Sequence, residues 1–122
     1  MPVDEHSGWV KKFRDAFRGI WYGARGESSF AVHLAAACAV LSAGWYFRVG
    51  VDEWCLLLLS ITAVLVCELF NSALEHLAKA VDAEFNPLVG RALDIASGAV
   101  LVAAFGAACV GAIVFLPRLV TL

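Results

Sequence analysis

Three long apolar runs constrain this chain more than anything else in it. The first begins at Phe30 and reaches about Tyr46, within "FAVHLAAACAVLSAGWYF". The second extends from about Trp54 to Leu69, and its helix is expected to continue through "NSALEHLAKAV". The third, "IASGAVLVAAFGAACVGAIVFL", covers Ile95 to Leu116. Each is near the ~20 residues a helix needs to cross a bilayer. A chain of 122 residues with 61% hydrophobic side chains could not hide this much apolar surface in water. Lipid is therefore the expected solvent, for a single all-α domain.

Basic residues orient the spans. Lys11, Lys12, Arg14, Arg18 and Arg25 precede the first span, and Lys79 and Arg91 lie between the second and third. The excess of cations at cytoplasmic ends predicts a cytoplasmic N-terminus and an external C-terminus. Trp45, Tyr46 and Trp54 fall at the opposite interface, as an aromatic belt would. Residues 9–23, "WVKKFRDAFRGIWYG", place Trp9, Phe13, Phe17 and Ile20 at helical spacing on one face. This pattern predicts an amphipathic helix on the membrane surface within residues 1–29, ahead of a three-helix domain over 30–122. The N-terminus lacks the apolar core of a cleavable signal. Pro87 and Gly90 are expected to mark a non-helical link between the last two spans.

Smaller features read as packing. Ala35, Ala39 and Ala43 form one four-residue row and Ala103, Ala107 and Gly111 another, which allow close helix approach and favour a homo-oligomer. The four cysteines, Cys38, Cys55, Cys67 and Cys109, are scattered singly and read as small buried filler. No dense basic stripe with interleaved aromatics suggests nucleic-acid binding.

The chemistry concentrates in "CELFNSALEH". At 100° per residue Glu68, Asn71, Ser72, Glu75, Lys79 and Asp82 share about a third of the helix circumference. An acidic residue at bilayer depth costs on the order of 3 kcal/mol, so a row of them implies use. Asp94 and Glu27 fall at the same predicted level. The bland readings are a Glu75–Lys79 surface pair and a Glu68 that satisfies a hydroxyl on a neighbouring helix. The functional one is a hard-oxygen cage suited to Mg²⁺ and phosphates, with Glu68 nearest the lipid as a base for a lipid hydroxyl. The same stripe also fits a cation channel or a proton-coupled transporter.

"ELFNSALE", Glu68 to Glu75, resembles the E-x-x-N-(S/T)-A-x-E signature of the small bacterial membrane kinases that phosphorylate diacylglycerol or undecaprenol. "RALDIASGAVL" resembles that family's A-K-D stretch. "FRDAFRGIWYG", with Glu27, Phe30 and His33, is similar to the N-terminal part, nearer the undecaprenol branch. The resemblance covers residues 9 to 118. It implies a homotrimer in the bacterial cytoplasmic membrane, with ATP and a lipid alcohol as substrates and Mg²⁺ as cofactor. Glu68 would be the catalytic base and Asn71 would position the reacting groups. Glu27 and Glu75 would hold the metal, and Glu84 and Asp94 would line the ATP site. The family lacks a P-loop, and none occurs here.

Leu93 stands where the family usually has a lysine, and Lys79 where many members have an aspartate. Lys79 is accordingly expected to reach the phosphate site from the second span. The rival readings are a catalytically impaired lipid-binding relative and a small oligomeric cation pathway. The pathway is disfavoured because the polar residues stop at Glu68.

Overall fold

A computed structural model describes the chain at residues 5–81 and 86–122, with side chains from Gly8 onward. Four helices follow in order: α1 (Glu5–Ala24), α2 (Ser28–Phe47), α3 (Val51–Ala80) and α4 (Pro87–Val120). The last three are long and apolar enough to cross a membrane, and the spans read from sequence lie inside them. α1 extends the expected surface helix by a few residues at its start. Its Trp9, Phe13 and Phe17 face outward, and the Lys12 ammonium sits 5.2 Å above the Trp9 ring.

Local chemistry sets each junction. Gly26, at φ 76°, makes the turn from α1 into α2, a backbone region that a side chain disfavours. α2 ends in a Schellman motif: Val49 N–H donates to Gly44 C=O at 3.2 Å and Arg48 N–H to Trp45 C=O at 3.3 Å. Arg48 thus occupies the left-handed position, at φ 53°, that glycine usually fills. α3 begins at Gly50, whose N–H donates to Glu53 Oε1 at 3.1 Å. α4 begins earlier than expected. Asn86 Oδ1 accepts from Leu88 N–H at 2.9 Å, and Pro87 takes the first helical position. Pro87 and Gly90 are therefore helical, because a proline at that position gives up an N–H with no helical partner anyway.

α3 is the central element. It packs most extensively on α4, less on α2, and least on α1. The core sits at the Arg48 end, where Val49, Leu57 and Val114 are buried beneath Phe47, Trp54 and Phe115. Most other large apolar side chains, such as Val102, Phe105 and Ile113, point outward. That is the arrangement expected of helices solvated by lipid. One expectation fails here. All four cysteines are free, as expected, but Cys38, Cys55 and Cys109 face outward rather than fill the core, and Cys67 is half-buried. Ala35 and Ala39 are exposed within the single chain, because α2 leans on α3 through a different face. Ala107 and Gly111 line an open trough instead of a tight contact.

Candidate active site

The site forms where α3 is enclosed by the start of α2 and residues 97–104 of α4. Glu68 is 4% exposed, an expensive position for a carboxylate unless its oxygens are partnered. Both are. Ser29 Oγ donates to Oε2 at 3.1 Å, and His33 Nε2 lies 3.1 Å from Oε1. Ser29 and His33 are four residues apart on α2, so one helical face presents both. The hydroxyl partner envisaged for Glu68 does exist, and it forms one wall of a pocket rather than a sealed contact.

That pocket, of about 310 Å³, is lined by Ser29, His33, Glu68, Asn71 and Ser97, with Val100, Leu101 and Ala104. It adjoins an apolar trough of about 370 Å³ between α2, α3 and α4, and His33 and Ala104 line both. The trough walls are small or aliphatic, including Ala36, Ala37, Val64, Ala107 and Gly111. Glu68 therefore lines a chamber that shares two walls, His33 and Ala104, with an apolar one. This is a geometry for a molecule with a polar end and a hydrocarbon body.

The other residues of the stripe take distinct places. Asn71 Nδ2 donates to Glu75 Oε1 at 3.1 Å, leaving Glu75 Oε2 uncommitted. Asn71 Oδ1 and Ser72 Oγ are buried without a hydrogen-bond partner. The Glu75–Lys79 surface pair of the bland reading is absent: Asn71 holds Glu75, and Lys79 points outward, exposed. Glu27 is the N-cap residue of α2, but its half-buried carboxylate makes no capping bond. Asp94 is exposed on α4, one turn before Ser97, and Leu93 is half-buried beside it. Asp82 and Glu84 lie outside the described residues. Among the described residues, no group of three or more His, Cys, Asp or Glu side chains is gathered as for a metal. Ser29, His33 and Ser97 are the site residues that sequence reasoning missed. For His33 a signal was available, since it interrupts an otherwise apolar span, and Ser29 lies four residues before it on the same helical face.

Comparison with known proteins decides the kinship. Residues 14–115 match the model of the prokaryotic diacylglycerol kinases. The chain belongs to the prokaryotic diacylglycerol kinase family. It is 40% identical over 116 residues to the undecaprenol kinase of Bacillus subtilis, covering 95% of this chain and 94% of that one. It is 33% identical over 111 residues to the diacylglycerol kinase of Synechocystis, covering 90% of this chain and 63% of that one. To the diacylglycerol kinase of Escherichia coli it is 35% identical over 88 residues, covering 68% and 71%. As a member of that family the chain is a lipid kinase, and its three apolar helices are those of a bacterial membrane protein.

Proposed function

We infer that this lipid kinase transfers the γ-phosphoryl of ATP to the hydroxyl of a long-chain membrane alcohol, undecaprenol in the first place and diacylglycerol in the second. The observation that carries this is Glu68 in a pocket that shares His33 and Ala104 with the apolar trough. A lipid hydroxyl that enters along the trough, with its chain among Ala104, Ala107 and Gly111, arrives beside that carboxylate. Similarity to the Bacillus subtilis undecaprenol kinase along 95% of the chain supports the order of acceptors.

Glu68 acts as general base, accepting the hydroxyl proton as the oxygen attacks phosphorus in line with the leaving ADP. Asn71 orients the reacting groups beside it. The oxygens present suit Mg²⁺: a free Glu27 carboxylate, Glu75 Oε2 and the unpartnered Asn71 Oδ1 are hard donors. Glu27 and Glu75 would hold Mg²⁺ on the nucleotide, where it offsets phosphate charge. Asp94 lines the ATP site, and Lys79 supplies the cation that Leu93 does not. The protein works as a homotrimer in the cytoplasmic membrane, with its N-terminus and ATP site on the cytoplasmic side. A cation pathway is disfavoured, because the trough beyond Glu68 is apolar.

The test is phosphoryl transfer from labelled MgATP to undecaprenol or diacylglycerol in mixed micelles, with Glu68→Gln alongside. Labelled lipid that falls by roughly 10²–10⁴-fold in the variant is expected. No labelled lipid from a folded wild-type oligomer would point to a lipid-binding relative that has lost its chemistry at Leu93.

A further inference from the structure

Glu68 does not reach the pocket alone. It projects from α3, yet both of its oxygens are held by α2. Ser29 is exposed and its hydroxyl rotates freely, so it can satisfy Oε2 without fixing the carboxylate plane. His33 is a rigid ring, half-buried, that lines the polar pocket and the apolar trough together. Its Nε2 at 3.1 Å makes the second contact to Glu68, on the oxygen that Ser29 does not hold. The ring also forms part of the wall past which an acceptor's hydrocarbon must run.

We propose that His33 is a positioning residue of the reaction: its Nε2–H donates to Glu68 Oε1 and fixes the carboxylate against the acceptor hydroxyl. The inference rests on Glu68 as the base. Its chemistry follows from geometry. A carboxylate free to rotate about its last torsion would spend its time against Ser29 or Asn71. Held on one oxygen by a ring, it keeps a lone pair directed into the pocket. Misplacement of a reacting group by about 1 Å can cost on the order of 10²-fold in rate. A positioning role therefore predicts an effect on turnover, with nucleotide binding left alone.

The experiment compares wild type, Glu68→Gln, His33→Ala, His33→Gln, His33→Asn and the His33→Ala/Glu68→Gln double variant. Undecaprenol and MgATP are used in mixed micelles, and folding is followed by thermal unfolding and size in detergent. His33→Ala is expected to lower kcat by roughly 10–100-fold with the ATP KM unchanged. His33→Gln, whose amide N–H falls near the position of Nε2, should recover most of that loss. His33→Asn, whose amide falls nearer Nδ1, should not. The double variant should be no slower than Glu68→Gln, because there is no base left to position. Should the alanine variant fail to fold, the Gln and Asn pair decides alone. A wild-type kcat in His33→Ala beside an inactive Glu68→Gln would overturn the proposal and leave the base in place. So would equal losses in the Gln and Asn variants, or an effect confined to the ATP KM. Full activity in Glu68→Gln would instead remove the base reading itself.

Discussion

Arg118 closes on Glu53 through two parallel N–H···O bonds of 2.7 Å, joining residues 65 apart at the end of the bundle remote from the pocket. Each partner also serves its own helix. Glu53 accepts the Gly50 N–H, and Arg118 donates to Val114 C=O at 2.7 Å. The carboxylate lies in the first turn of α3 and the guanidinium in the last turn of α4, so both favour their helix dipoles. The pair fastens the two helices that pack most extensively. Bidentate geometry makes it less replaceable than an ordinary surface ion pair.

Arg118→Lys should therefore behave almost as badly as Arg118→Met, since an ammonium cannot form the fork. Both should lower the thermal midpoint in detergent, and Glu53→Gln on top of either should add little. Kinetics with MgATP and lipid should stay within about twofold of wild type at temperatures below the transition. A full additive loss in the double variant would show that the two side chains act separately.

Ala107→Phe fills the trough with a ring and leaves the polar pocket untouched, as Ala107 lines only the former. The expected result is a raised KM for undecaprenol, by roughly 10-fold or more, with the ATP KM unchanged. Steady-state kinetics with each substrate varied in turn checks this. An unchanged lipid KM would place the acceptor chain elsewhere.

Gly23 is where α1 meets α3, since a Cβ there would come 2.7 Å from Leu69 Cδ2. Alanine should be accommodated by a small Leu69 rotation, whereas Gly23→Val should push α1 off its seat at a cost of about 1–3 kcal/mol. Limited proteolysis at residues 9–26 and the emission of Trp21 report the displacement.

Lys79→Ala separates compensation from coincidence. If Lys79 supplies the phosphate cation, the variant should raise the ATP KM roughly 10-fold while the lipid KM holds. Lys79→Ala/Leu93→Lys, which restores the family's arrangement, should recover the loss.

Arg48→Gly should raise stability by about 1 kcal/mol, because glycine relieves the left-handed strain at the end of α2. Thermal unfolding in detergent measures it, and a lower midpoint would mean the arginine side chain itself contributes more than the strain removes.

The sequence by itself determined the four helices, for a physical reason. Long apolar runs have one solution in lipid, and the amphipathic period of residues 9–23 has one at its surface. It also determined that Glu68, Asn71 and Glu75 share a face, because helical geometry acts over a few residues. Reach beyond the helix needed the fold. Only tertiary structure decided that Ser29 and His33 meet Glu68 and that the polar pocket adjoins the trough. It also decided that Ala35, Ala39, Cys38, Cys55 and Cys109 face outward, since the rotation of each helix against its neighbours is set by summed side-chain packing that no local pattern encodes. The start of α4 lay between these cases: Asn86 and Pro87 carry a helix-start signal, but the same two residues also serve a turn, and the choice was made by the apolar helix that follows them.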